Sequence, residues 1–268
     1  MAWRVALSVP AVIAFGVACF FYHNSDDCPL GSYKEVRAAG LLQQKSAVDS
    51  FRQGIFNLNA WILFVQFGAS LGIELVMESG MTMHLSERFG IPVARAAGLA
   101  SLFGLMNIWA RGFGGYISDR LHKMFSLRGR LFLQMALLLL EGLLILCFNQ
   151  QGSSLNMTLF WMVSFAAAGQ MGMGTCFGLI PYIDPRCTGT IAGIVAAGGN
   201  FGGVFLSNVF RTSTSDAESF QVMANFCFVA ALLTPLLVVS GYRGIVWGQE
   251  QTAAATLLTP AIASTRSS

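Results

Sequence analysis

Arg111 is a cation set in a membrane-length apolar run, Ile91 to about Phe113, with Gly112-Phe113-Gly114-Gly115 closing it. A guanidinium stays charged at any pH a cell reaches. Within a bilayer-spanning helix it costs roughly 2.5 kcal/mol or more, so such residues face a cavity or a partner. Asn107 lies one turn before Arg111 and Gly115 one turn after it, so the spacing predicts one shared helix face. A cation on a small, polar face inside a membrane suits an anion. Glu74 follows Phe67 at helical spacing, on the same face. A carboxylate there is either a proton carrier or the structural partner of a polar group on a neighbouring helix. Glu141, enclosed by Leu137–Leu140 and Leu143–Leu146, reads as structural. Asn200 stands in Gly198-Gly199-Asn200-Phe201-Gly202-Gly203, where Gly198 pairs with Gly202 and Gly199 with Gly203 as overlapping GxxxG motifs. Helix packing explains the glycines. A carboxamide buried between them would offer donors where a ligand could touch backbone.

These residues need apolar scaffolding, and the composition supplies it. The 268 residues are 54% hydrophobic and only 11% charged, against about 25% charged in a soluble domain. Charge is excluded from most of the chain, which indicates an integral membrane protein. No basic run is dense enough for nucleic acid. No nucleophile–base pair and no metal-ligand spacing appears, so no enzyme activity, metal or cofactor is expected. Cys19, Cys28, Cys147, Cys176, Cys187 and Cys227 form no CxxC pair and read as packing residues.

A bilayer core takes about 20 apolar residues per helix. Seven stretches qualify: 5–22, 55–78, 91–113, 129–148, 158–180, 190–210 and 221–241. They are long and lack two-residue alternation, so the fold class is all-α. The longest polar break is 23–54, a domain linker; residues 119–130 form a basic connection; the Ala/Thr/Ser-rich tail after Gly248 is expected to be disordered. With 23–54, 119–130, 181–189 and the tail in the cytoplasm, that side holds Lys34, Arg37, Lys45, Arg52, Arg120, Lys123, Arg128, Arg130, Arg186, Arg243 and Arg266. The other side holds Arg4, Arg88, Arg95 and Arg211. The positive-inside rule then puts the N-terminus outside. Residues 1–22 have a rival reading as a signal peptide; their length, and the absence of a clear small-x-small site, favour a transmembrane helix. A sequon, Asn156-Met157-Thr158, falls in the outer connection 149–157, too short a loop for glycosylation.

Gly115-x-x-x-Asp119-Arg120, leading into the basic connection, resembles the conformational loop signature of the major facilitator superfamily. Gly115 would allow helix contact, and Asp119 and Arg120 at the membrane edge would pair with neighbouring helix ends. The segment around Asn200 resembles the nitrate signature of the nitrate–nitrite porter family within that superfamily. Ala2-Trp3-Arg4, Phe67-Gly68-Ala-Ser-Leu-Gly72-Ile-Glu74-Leu75, Phe103-Gly104-Leu-Met-Asn107-x-x-Ala110-Arg111-x-x-Gly114-Gly115 and Pro181-Tyr182 resemble the same family. The resemblance runs from residue 2 to about 243.

The resemblance implies a C-terminal six-helix bundle (55–248), preceded by one extra transmembrane helix (1–22) matching the family's helix six and by the central cytoplasmic loop (23–54), with a cytoplasmic tail (249–268). The family's first five helices have no counterpart, and with them go its helix-two substrate arginine and its helix-five signature. The chain is expected to be a truncated form or a natural half-transporter. By resemblance, the substrate-binding residues are Arg111, Asn107, Phe67, Asn200, Gly198, Gly199 and Gly202, and Glu74 is the proton-coupling candidate. Met77-Glu78-Ser79 departs from the family pattern, which has an Asn after the Glu-Leu pair. The implied partners are nitrate or nitrite, protons, the lipid bilayer and a small single-span accessory membrane protein; the implied location is the plasma membrane. A non-transporting fragment that regulates a complete transporter, or a porter for another small anion, stays open. A seven-helix receptor does not fit. Ser118-Asp119-Arg120 replaces the acidic-Arg-Tyr triplet, and no Asn-Pro-x-x-Tyr closes the seventh span.

Overall fold

A computed structural model describes residues 2–25, 32–38, 46–150, 154–242 and 244–246. The tail expected at 249–268 lies outside the described residues. Among the described residues, seven helical spans are long and apolar enough to cross a membrane: Arg4–Asn24, Leu58–Phe89, Val93–Phe125, Leu127–Asn149, Leu155–Ile183, Thr188–Thr212 and Asp216–Leu236. They coincide with the seven apolar stretches, and no strand occurs among the described residues. The protein is an all-α, multi-pass membrane protein.

The chain divides into two units, Met1–Asp49 and Ser50–Ser268. The first holds α1 (Ala2–Asn24) and α2 (Tyr33–Ala38), and α3 (Ala47–Ile55) crosses the boundary. The second holds α4 (Leu58–Phe89), α5 (Val93–Leu105), α6 (Ala110–Phe125), α7 (Leu127–Asn149), α8 (Leu155–Ile183), α9 (Thr188–Thr212) and α10 (Asp216–Leu232). A 3-10 turn, Met106–Ile108, separates α5 from α6, and another, Thr234–Leu236, follows α10.

Local chemistry sets the helix ends. Asn57 caps α4 by accepting from the Asn59 amide at 3.0 Å. Gly90, at φ +61°, ends it in the left-handed region that glycine enters without steric cost. Ser215 caps α10, while Glu218 reaches back to the Thr214 amide at 3.1 Å.

Expectations about two connections are corrected. The basic connection 119–130 is nearly all helix: α6 runs to Phe125, α7 starts at Leu127, and Ser126 alone turns the chain, at φ +57°. Arg111 therefore lies in mid-span rather than near its end. The sequon lies in the first turns of α8, where Thr158 is buried and donates to the Ser154 carbonyl. Of the cysteines expected to pack, Cys176, Cys187 and Cys227 are buried, Cys19 and Cys147 are exposed, and Cys28 lies outside the described residues.

Glycine determines how closely the helices approach. A Cβ on Gly202 would stand 2.0 Å from the Gly68 carbonyl oxygen, and one on Gly198 2.2 Å from that of Phe64. The backbones of α4 and α9 are thus in direct contact, and small residues make this possible where lipid gives no hydrophobic drive. α6 and α8 meet similarly, Gly114 against the Met171 carbonyl and Gly174 against that of Arg111. Two apolar clusters fill the interior. One includes Met81, Phe103, Phe148, Phe165 and Phe220; the other includes Leu63, Phe67, Leu131, Met173 and Ile180. The change between them falls between Phe67 and Ala69 on α4, Leu131 and Leu138 on α7, and Ala166 and Met173 on α8. Buried Ser70, Gln134 and Gln170 sit at about that level, as a polar layer inside the bundle.

The glycine contacts make a direct test. Gly202→Ala is expected to lower stability by about 1–3 kcal/mol, because backbone cannot yield as a side chain can. Gly193→Ala on the same helix, with open space around its Cα, is expected to be neutral or to stabilise by up to about 1 kcal/mol. Thermal unfolding in detergent measures both, and equal effects would contradict the packing described.

Candidate functional site

α4 brings Glu74 to the centre of the polar layer, and the broken third span brings Asn107 and Arg111 to Glu74. Asn107 lies in the 3-10 turn and donates from Nδ2 to Glu74 Oε1 at 2.7 Å. Arg111 lies in the first turn of α6 and donates from Nη2 to Glu74 Oε2 at 3.2 Å. The same Nη2 reaches Gln170 Oε1 at 3.1 Å and the Met173 sulfur at 3.5 Å. The carboxylate is locked inside at 5% side-chain exposure, whereas the guanidinium keeps 39%. Arg111 Nε is buried without a hydrogen-bond partner. Since α6 starts afresh at Ala110 with no side-chain cap, its partly positive N-terminal end adds to the cation.

The expected convergence of Asn107 and Arg111 holds, for a different reason. They do not share one continuous helix; the break lies between them, and Glu74 gathers both. Gly115 is not the contact glycine, since a Cβ there would meet nothing; Gly114 takes that part. Two further carboxyl groups lie near this centre: Glu78, one turn after Glu74 on α4, and buried Glu141. Glu141 accepts from Ser70 Oγ at 2.7 Å. Gly169 leaves room for that carboxylate, because a Cβ there would stand 2.5 Å from Oε1.

Phe67 is buried, and its ring meets Phe177 edge-on at 4.9 Å. It shares an apolar cluster with Met173, which itself touches Arg111. The second signature is placed differently from expectation. Gly198 and Gly202 face the α4 backbone, and Gly199 faces Leu71, so packing occupies all three. Asn200 is exposed rather than buried, and its amide donates to Ala196 of its own helix at 3.3 Å. Helix geometry gives the reason: with the flanking glycines turned to α4, the residue between them points away. α6 and α9 do not touch, so Asn200 and Arg111 are not brought together.

At the other end of α6, Asp119 does pair with a neighbouring helix end, receiving Arg130 Nη2 at 2.7 Å. Arg130 is buried, also donates to Ser118, and lies over the Tyr182 ring. Arg120 does not pair this way; its Nε donates to Tyr116 of its own helix at 3.1 Å. Sequence reasoning missed Gln170 and Gly174. An amide inside Ala166-Ala167-Ala168-Gly169-Gln170 was the available signal for the first.

An ion pair inside a membrane bundle, at a broken helix, marks a candidate functional centre. No protein-family model matches the chain. The chain is 33% identical over 216 residues to nitrate transporter 2.2 of Chlamydomonas reinhardtii, covering 80% of this chain and 42% of that protein. It is 30% identical over 264 residues to high affinity nitrate transporter 2.7 of Arabidopsis thaliana, covering 92% and 53%. It is 27% identical over 204 residues to the nitrite extrusion protein of Bacillus subtilis (strain 168), covering 75% and 48%. These relatives are named nitrate transporters and a nitrite extrusion protein, consistent with the nitrate–nitrite porter family that the motifs resemble. It spans about half the length of the curated relatives it matches.

The central pair predicts non-additivity. Glu74→Ala and Arg111→Ala are each expected to destabilise, and the double variant by less than their sum, with a coupling energy on the order of 1–3 kcal/mol. Thermal unfolding in detergent measures the cycle. Additive losses would show that the two groups do not hold each other.

Proposed function

We propose that this chain serves in transmembrane transport of nitrate, or of nitrite, with Arg111 as the anion ligand and protons as the driving ion. The supporting observation is the guanidinium itself: partly exposed, on a broken helix, with one buried donor unused, in a chain whose relatives are named nitrate transporters. Nitrate is planar with three equivalent oxygens, and a planar guanidinium donates two parallel hydrogen bonds to such an acceptor. Lysine supplies charge without the fork. The buried apolar cluster around Phe67 and Met173 would keep water from one side and strengthen the pairing.

Charge balance supports proton coupling. With Glu74 ionised, Arg111 is already neutralised. An arriving anion therefore meets a cation already paired with a carboxylate. Protonating Glu74 releases the Arg111 fork and restores neutrality once nitrate binds. Nitrate and proton then favour one another's binding, because linkage is reciprocal. In this reading Asn200, on the open face of α9, is available only to a ligand or partner approaching that face. A plasma-membrane location, the central-loop and bundle assignments, and association with a small accessory membrane protein belong to the same proposal. Transport itself is a property of a two-half assembly, in which rocking alternates access to a site near the midplane.

Arg111→Lys, placed in a twelve-helix form in proteoliposomes, is expected to abolish high-affinity uptake of isotope-labelled nitrate while membrane insertion stays normal. Uptake equal to wild type would sink the ligand assignment. Nitrate affinity of the wild type is expected to rise as pH falls, by at most about tenfold per pH unit for one linked proton. Glu74→Gln is expected to flatten that dependence and retain binding. A Glu74→Gln form that loses binding altogether would instead give Glu74 a purely structural part.

A further inference from the structure

We propose that the adjoining ends of α6 and α7 form a binding site for the phosphate headgroup of an anionic phospholipid. The proposal does not rest on the nitrate reading. A cavity of about 720 Å³ opens where the two helices meet at Ser126. Lys123 and Arg128 supply its basic side, and Met124, Phe125 and Phe132 its apolar side. None of its lining residues is acidic. The nearby carboxylate of Asp119 is already engaged by Arg130 at 2.7 Å.

The cations have donors to spare. Arg128 Nη2 donates to the Ile245 carbonyl at 3.0 Å, but its Nε is buried with no partner. Lys123 is exposed and makes no ion pair among the described residues. The first turn of α7 also begins here, with no side-chain cap at Ser126, and a helix N-terminus carries partial positive charge.

The apolar side selects the ligand class. Met124 is 71% exposed, Phe125 57% and Phe132 46%, directly beside the basic groups. Large apolar side chains left bare at the end of a membrane span suit acyl chains. A free phosphate would use the cations and leave these side chains in water. A phospholipid satisfies both sides at once. The excess of basic residues assigns this end of the bundle to the cytoplasm, where anionic lipids are concentrated, and basic pockets between transmembrane helices hold such headgroups.

The test uses the purified full chain in detergent, offered phosphatidylglycerol, phosphatidylcholine or inorganic phosphate, with retained ligand counted by native mass spectrometry after delipidation. Phosphatidylglycerol is expected to be retained over phosphatidylcholine. Lys123→Gln is expected to lower that preference about fivefold, and Lys123→Gln with Arg128→Gln further. Arg186→Gln, on the same side but outside the cavity, is expected to change nothing. Equal retention of the two lipids would overturn the proposal, as would a Lys123→Gln form that binds like wild type. Retention of inorganic phosphate as tight as that of phosphatidylglycerol would overturn the lipid assignment. Lys123 is solvent-exposed and its replacement disturbs no packing, so the single variant reads out even where the double one fails to fold.

Discussion

The pairing of Arg111 with Glu74 is the interaction that the rest of the bundle accommodates. Separately, each charge would be costly in an apolar interior, and removing one partner would leave the other uncompensated. Together they are tolerable only if two helices present them at hydrogen-bond distance. That requirement reaches far. α4 must hold Glu74 deep inside, so it is gripped by α9 through backbone contact at Gly68, Gly198 and Gly202. α6 must set Arg111 beside α8, so Gly114 and Gly174 give up their side chains. The pair is also unequal: the carboxylate is sealed and the guanidinium reaches outward.

The other buried polar groups follow the same logic without charge pairing. Gln66 donates to Thr234 Oγ1 at 2.9 Å and to the Ala230 carbonyl at 3.2 Å, tying α4 to the end of α10. Thr175 donates to Gln134, linking α8 to α7. Ser70 donates to Glu141, linking α4 to α7. Each of these bonds crosses between elements, so the polar layer fixes helix register where interchangeable apolar side chains would not. Model systems put such bonds at about 0.6–2 kcal/mol each. The energy is modest, but a register slip would strand several groups at once.

Most of the fold was legible because its determinant is crude: length and apolarity of a run. Seven stretches became seven spans. The break at Met106–Ile108 was not legible, because no proline or glycine pair marks it. Nor were helix ends within the connection 119–130, where charged residues remain helical beyond the apolar run. At the site, Arg111, Asn107 and Glu74 stood out as polar residues in apolar surroundings, and the structure joins all three. Asn200 stood out by the same rule, and that rule said nothing about which way it faces. Its direction depends on which side of α9 the glycines use, a tertiary fact. Gln170 was passed over because an uncharged amide in an Ala/Gly-rich run resembles packing. Charge marks a residue from sequence alone; orientation and neutral partners emerge only when helices meet.

The break in the third span decides how the Glu74 carboxylate is held. Its two oxygens are held by different donors, Oε1 by Asn107 and Oε2 by Arg111. Asn107 sits in the 3-10 turn and Arg111 in the helix that follows, so the two donors are not locked on one rigid helical turn. Under the proposed function, loss of the Arg111 contact would free Oε2 alone, and Asn107 would still hold the carboxyl group in place. The freed oxygen would then be a localised site for the proton, deep in the bundle. The irregular turn places the two donors on separate elements, so under that reading one contact could be given up while the other stays.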